Sequence, residues 1–250
     1  MVAVMMFRAF MDGPFGPSKW MTLFSDFSEI FLIGFFTTLK VASLGLCLAL
    51  VLGIVFGVFS TSNSKILRTI ARVYVEIWQN TPLVIQIFFL YNGLPRFGLV
   101  WSQFVIGVIG VGLYHGAYIS EVVRTGIEAI PKGQYEAAAS QGFTYLQTMR
   151  YIILPQSIKI ILPPLTNQAL NLVKNTSVLA MIAGGDLMYH ADSWSTYKLV
   201  YGPTYIVTGM LYFVICYPLS KLAERLEKKS KEDAPAPVGS DDAGKGGAEA

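Results

Sequence analysis

From Ile30 to Phe59 the chain is apolar apart from a few hydroxyls and one charge, Lys40, and it closes on the polar turn Ser60-Thr61-Ser62-Asn63-Ser64. About 20 apolar residues in helical form cross the hydrocarbon core of a bilayer, where every backbone group must be bonded within the chain. A run this long is too continuous for an amphipathic helix packed on a soluble core. Charged residues make up 14% of the sequence and hydrophobic residues 53%. Soluble domains carry about 25% charge, so the bilayer is the expected solvent for most of this chain.

Four more segments follow the same logic. Val73 to Leu94 predicts a second span with a distortion near Pro82, and Gly98 to about Ser120 a Gly- and Val-rich third span interrupted by His115. Ile160 to Ala183 predicts a fourth. It is much less apolar, with Pro163-Pro164 near its start and Asn167, Asn171, Lys174, Asn175, Thr176 and Ser177 inside it, which suits a helix facing a cavity rather than lipid. The fifth runs from about Thr204 to Leu222. Twelve Lys and Arg residues fall after spans one, three and five, and four fall on the other side. By the positive-inside rule the N-terminus is outside and the C-terminus cytoplasmic. The expected fold is an all-α integral membrane protein of five transmembrane helices. Residues 1–28 form an N-terminal extracytoplasmic segment, 29–222 the membrane domain, and 223–250 a charged, disordered cytoplasmic tail. The opening residues make no convincing cleavable signal peptide, and the first span is expected to direct insertion. Cys47 and Cys216 lie inside apolar runs and read as small buried hydrophobes, not as a disulfide or metal pair.

The polar stretch between spans three and four, about 124–159, is a cytoplasmic loop on this topology. It reads Glu136-Ala137-Ala138, three residues, Gly142, nine residues, then Ile152-Ile153-Leu154-Pro155. Alanines give a helix a thin face that another protein can approach, and Gly142 permits a sharp reversal. Glu136 is expected to favour the helix N-terminus and Pro155 to stop the segment that follows. This E-A-A-x3-G-x9-I-x-L-P pattern resembles the docking loop of ABC importer permeases. The resemblance extends over nearly all of 34–222 and narrows to permeases of polar amino acid importers. It is carried by Gly34-Phe35-Phe36-Thr37-Thr38-Leu39, Asn80-Thr81-Pro82-Leu83, Gly116 to Arg124, Pro131-Lys132-Gly133-Gln134 and Lys174-Asn175-Thr176-Ser177. Gln79-Asn80 stands where many members have Arg-Gly, a departure closer to members that handle glutamate or glutamine.

The resemblance implies the fold of ABC type I importer permeases in the cytoplasmic membrane of a prokaryote. The implied partners are a second permease subunit, identical or homologous, a cytoplasmic ATPase dimer and an extracytoplasmic solute-binding protein, besides lipid and the amino acid itself. No nucleic acid is implied. The chain holds no G-x-x-x-x-G-K-[ST] phosphate loop, so it is not expected to be an enzyme. ATP and Mg belong to the separate ATPase, and neither cofactor nor metal is expected here. Glu136, Ala137, Ala138, Gly142, Leu154 and Pro155 are the expected coupling residues.

For the substrate pathway the candidates are Asn171, Lys174, Asn175, Thr176 and Ser177, with Glu121 and Gln86. A charge in mid-span costs about 2.5 kcal/mol or more unless paired or hydrated, so Lys174 either meets a carboxylate of the substrate or pathway or pairs with Glu76 or Glu121. The neighbouring amides and hydroxyls offer neutral hydrogen bonds to a zwitterion, or stitch span four to its neighbours. Glu121 and Arg124 are spaced for an ion pair, Lys40 for snorkelling, and His115 for hydrogen-bonded packing. A carrier or channel driven by an ion gradient is the competing reading; it would not need the Glu136 to Pro155 spacing.

Overall fold

The computed structural model describes residues 13–232. Residues 1–12 and 233–250, on which part of the expected N-terminal segment and most of the expected tail fall, lie outside the described residues. Ten helices follow in order among them: α1 (Pro17–Ser25), α2 (Ile33–Thr61), α3 (Lys65–Gln79), α4 (Leu83–Gly93), α5 (Gln103–Glu128), α6 (Lys132–Ser140), α7 (Tyr145–Thr148), α8 (Leu154–Asn175), α9 (Leu187–Lys198) and α10 (Tyr201–Glu232). Wide helical turns lead into α2 at Ser28–Leu32 and into α8 at Met149–Ile153, and a tight 3₁₀ stretch, Thr176–Ile182, continues α8.

Among the described residues three helices are long and apolar enough to cross a membrane: Ser28–Thr61, Gln103–Glu128 and Tyr201–Ser230. They match the first, third and fifth expected spans. The other two differ from expectation. The second is not one distorted helix but two, α3 and α4, separated at Asn80-Thr81-Pro82, where Pro82 takes extended backbone at φ −62°, ψ 134°. Proline has no amide hydrogen, and it disfavours helical geometry in the residue before it, so the chain breaks instead of bending. The fourth begins earlier, at Leu154, and carries Pro163 and Pro164 inside the helix rather than near its start. Helix α10 runs past the boundary drawn at Leu222. Its charged end to Glu232 is built from good helix formers and includes a Lys221–Glu224 ion pair of 2.9 Å, so residues 223–232, the charged part of the expected tail, continue the helix.

The most extensive contact joins α2 and α5. On α2 the buried positions are Gly34, Thr38, Val41, Ala42, Gly45, Ala49, Gly53 and Gly57, a stripe of mostly small residues about four apart. This spacing stacks them on one face and lets backbones meet closely, which is how helices associate where lipid removes the ordinary hydrophobic drive. The approach is close enough that a Cβ on Gly53 would stand 2.3 Å from Ile119 Cγ2. One core cluster unites this seam with α8, Cys216 of α10 and the α5–α8 loop. A second ties α1, the start of α2, α9 and α10 around Leu23, Phe31 and Leu187. The bond from Trp194 Nε1 to Asp26 Oδ2, 3.0 Å, holds its edge. A third packs α4 against α5 and the 3₁₀ stretch through Ile87, Ile106 and Ile182.

Candidate substrate pocket and coupling loop

Pocket residues come from one face each of α5 and α8. On α8, Gln168, Asn171 and Asn175 recur at helical spacing, and on α5 Tyr114 and Tyr118 flank His115. Together with Lys174 they line a cavity of about 220 Å³. His115 is buried and holds the wall together. Asn175 Nδ2 lies 3.0 Å from its Nε2 and Gln168 Oε1 3.4 Å from its Nδ1, contacts satisfied together when Nδ1 carries the proton. Tyr114 and Tyr118 share a hydroxyl–hydroxyl bond of 3.2 Å. Asn171 and Lys174 are exposed at the mouth.

Lys174 makes no ion pair among the described residues, so neither Glu76 nor Glu121 is its partner. It also borders a more apolar cavity of about 370 Å³ against Tyr212, Cys216 and Tyr217 of α10. An unpaired ammonium between a cavity of amides and phenols and one of aromatic rings is placed to receive a carboxylate.

The structure does not bring every expected pathway residue here. Thr176 is fully buried, its hydroxyl bonded to Val173 O at 2.8 Å, and Ser177 bonds Lys174 O at 2.8 Å while lining a separate cavity with Met188 and Asp192. Gln86 is buried in the α3–α4 break. Its Nε2 lies 2.9 Å from Trp78 O, 3.0 Å from Thr81 O and 2.6 Å from Thr81 Oγ1, covering carbonyls that the broken helix leaves open. Glu121 is paired with Arg124 in another cleft, between α3 and α5. Gln168, Tyr114 and Tyr118 were not singled out from the sequence. Their signal was the three- and four-residue spacing to Asn171, Asn175 and His115.

The loop that joins α5 to α8 is ordered by its own chemistry. Helix α6 rests on the core through fully buried Ala138 and half-buried Tyr135, and it turns Glu136 and Ala137 outward. It ends in a Schellman motif. Phe143 N donates to Ala138 O at 3.1 Å and Gly142 N to Ala139 O at 3.0 Å, with Gly142 left-handed at φ 80°. Thr144 and Gln147 then form a capping box that starts α7, a signal visible in the sequence as Thr-x-x-Gln. Glu136 sits in the second turn of α6, beyond the reach expected for a dipole contact at its N-terminus. Pro155 does not stop the chain either. It occupies the first turn of α8, directly after the wide turn Met149–Ile153, which accommodates the missing amide hydrogen and the ring. Leu154 is half-buried and Pro155 exposed. Two large apolar side chains further along the same loop are also open to the surface: Leu146 is 75% and Tyr151 62% exposed.

A helical membrane domain with a polar cavity between two helices and an outward-facing Ala-rich loop joining those helices defines a class. The chain belongs to the binding-protein-dependent transport system inner membrane components, whose family model matches residues 49–232. It is a permease of the polar amino acid ABC type, an integral membrane transport protein and not an enzyme. ATP hydrolysis occurs in the separate ATPase subunit of such systems. Among its relatives is the "Probable glutamine ABC transporter permease protein GlnM" of Bacillus subtilis, 44% identical over 207 residues, covering 83% of this chain and 95% of the relative. The "Arginine transport system permease protein ArtQ" of the same organism is 34% identical, covering 80% and 92%. Of solved structures, an amino acid ABC transporter crystallised with histidines superposes with a TM-score of 0.76 at 33% identity, over 82% of this chain and 96% of that one. The MetNI methionine ABC transporter, at 18% identity and a TM-score of 0.66 over 80% and 97%, shares the fold. With the family established, the independent gradient-driven carrier is set aside.

Proposed function

We propose that this chain passes an amino acid of the glutamine and glutamate class through the pocket between α5 and α8, driven by an ATPase seated on the Glu136 to Pro155 loop. The observation that carries the reading is Lys174, an unpaired ammonium in the same pocket as the side chains of Asn171, Asn175 and Gln168. A cation and neutral amides suit an α-carboxylate and the amide or carboxylate end of such a substrate; a cationic substrate would be repelled. The glutamine relatives support the same class.

The rest of the reading follows the family. Five crossings with the N-terminus outside put the α6 loop in the cytoplasm, where a dimer of ATPase subunits meets Glu136, Ala137, Ala138 and Gly142 and covers Leu146 and Tyr151. A second permease, a copy or a homologue, completes the pathway, and an extracytoplasmic binding protein delivers the solute in a prokaryotic inner membrane. ATP and Mg are held by the ATPase.

The test is uptake of labelled L-glutamine, and in parallel L-arginine, by the assembled transporter in proteoliposomes. Lys174→Met and Asn171→Ala are expected to lower L-glutamine uptake while the subunits still co-purify. Uptake at the wild-type rate and half-saturation in both variants, or better uptake of L-arginine by the wild type, overturns the substrate assignment.

A further inference from the structure

A second charged site lies away from the Lys174 pocket. Between α3 and α5, at the end of α5 from which the α6 loop departs, is a cleft of about 560 Å³, within the roughly 300–1,000 Å³ range of small-molecule sites. Its α3 wall carries Arg68, Arg72 and Glu76, and its α5 wall Glu121, Arg124 and Glu128. The α5 wall is internally satisfied. Arg124 Nη2 is 2.6 Å from Glu121 Oε2 and its Nη1 2.6 Å from Glu128 Oε2. The α3 wall is not: among the described residues Arg68, Arg72 and Glu76 form no ion pair. Arg72 and Glu76 are four apart, but with the basic residue N-terminal, the less favourable order for pairing along a helix. Helix α3 is held across α5 by Tyr74 Oη donating to Leu113 O at 2.8 Å and Gln79 Nε2 to Ala117 O at 3.1 Å. The two walls therefore stand at a set separation.

Two free guanidinium groups and one free carboxylate on a fixed wall form a bipolar surface. Arginine forks bind carboxylates with two parallel hydrogen bonds, and a single glutamate is an acceptor for an ammonium. We infer that this cleft is a second amino-acid site, on the loop side of the protein, that holds the α-carboxylate of a free zwitterionic amino acid on Arg68 and Arg72 and its ammonium on Glu76. Glu121 then serves the cleft by fixing Arg124 and takes no part in the Lys174 pocket. The inference rests on the amino acid permease reading. It adds that the transported solute, once released, occupies the cleft and slows further import.

The test uses the complete transporter in proteoliposomes with ATP enclosed, the binding protein outside, and the lumen either empty or loaded with unlabelled L-glutamine. Luminal L-glutamine is expected to slow initial uptake in the wild type. The double variant Arg68→Gln/Arg72→Gln is expected to raise the half-inhibiting luminal concentration by about tenfold or more, the loss of one or more charge-assisted contacts. Its uptake into an empty lumen stays near the wild-type rate. Glu76→Gln does the same and decides the matter where the double variant fails to assemble. Slowing that is absent in the wild type, unchanged in the variants, or reproduced by luminal propionate, which has no ammonium, overturns the inference. Absence of L-glutamine uptake into an empty lumen instead overturns the substrate reading and takes the inference with it.

Discussion

Gly142 allows loop geometry to be separated from loop contact. It is left-handed at φ 80°, and a Cβ placed on it meets nothing within 4 Å, so any substitution there is opposed by the backbone and not by a clash. An L-residue in this conformation costs about 1–2 kcal/mol, while Asn and Asp visit it more readily because their short side chains bond locally. A cost of that size shifts a local equilibrium by a factor of about 5–30. The members at risk are the bonds from Phe143 to Ala138 and from Gly142 to Ala139, which fix the direction of the chain leaving α6. The membrane helices are not involved, so insertion is expected to be unaffected. Gly142→Asn, Gly142→Ala and Gly142→Val are therefore predicted to reduce ATPase co-purification, and uptake per ATP hydrolysed, in that order, with Val worst because β-branching is least compatible with positive φ. Gly142→Asp keeps the geometry about as well as Asn and adds a charge; failure of Asp where Asn works assigns the defect to the docking surface. Coupling in Gly142→Val equal to the wild type refutes the argument.

Other perturbations isolate other parts. A Cβ on Gly110 would lie 2.4 Å from Ile87 Cδ1, with its next neighbour at 3.3 Å, so Gly110→Ala is expected to destabilise by about 1–3 kcal/mol through overpacking. Ile87→Val, which removes that methyl group, should restore most of the loss; thermal melts in detergent in which the two costs simply add refute it. Gln86→Leu uncovers the carbonyls of Trp78 and Thr81 at the α3–α4 break and is expected to cost about 1–3 kcal/mol; a melting temperature equal to the wild type shows that other groups cover them. The Asp26 carboxyl is held below its ordinary value of 3.8 by the hydrogen bond from Trp194, then by Ser25, with Lys198 assisting. A depressed carboxylate stabilises above its unfolded value and loses that contribution as pH falls through its folded value. Asp26→Asn should therefore lower the melting temperature at neutral pH, with the gap closing in acid; a gap that widens in acid contradicts the assignment.

Much of this was legible because bilayer physics leaves few options. The runs at 30–59 and 204–222 are long and apolar, and the Gly-rich third segment is the partner that the small-residue stripe of α2 requires. The family was legible because the spacing of the Glu136 to Pro155 motif carries the resemblance. The breaks were not. Pro82 and Pro155 are both prolines in apolar surroundings, yet one separates two helices and the other sits inside a continuous helical run, and the difference lies in neighbours that sequence does not display: Gln86 covers the open carbonyls at the first, and a wide turn absorbs the second. Of the seven expected pathway residues, Asn171, Lys174 and Asn175 line one cavity and the other four lie elsewhere. Thr176 and Ser177 follow Asn175 directly, but a helix turns by about 100° per residue, so neither shares the Asn171–Asn175 face, and the chain tightens into a 3₁₀ turn from Thr176.

The same connectivity bears on how ATP hydrolysis would reach the substrate. All seven residues that line the small pocket belong to α5 or α8, and the loop carrying Glu136 and Gly142 is the segment between those two helices. A force applied to α6 therefore needs no relay through distant packing. It acts on a short element whose ends continue into the two walls of the pocket, through Tyr135 on the core cluster and through the bond from Gln156 Nε2 to Gln134 Oε1, 3.3 Å, on the start of α8. The α2–α5 seam is closely packed, with no room for a Cβ between Gly53 and Ile119. Helix α8 is entered through a wide turn and left through a tight one, whereas α5 is a continuous helix. Under the proposed coupling, α8 rather than α5 is the moving side. That coupling would carry Lys174 with α8, so ATP hydrolysis is expected to shift the cation that would receive the substrate carboxylate.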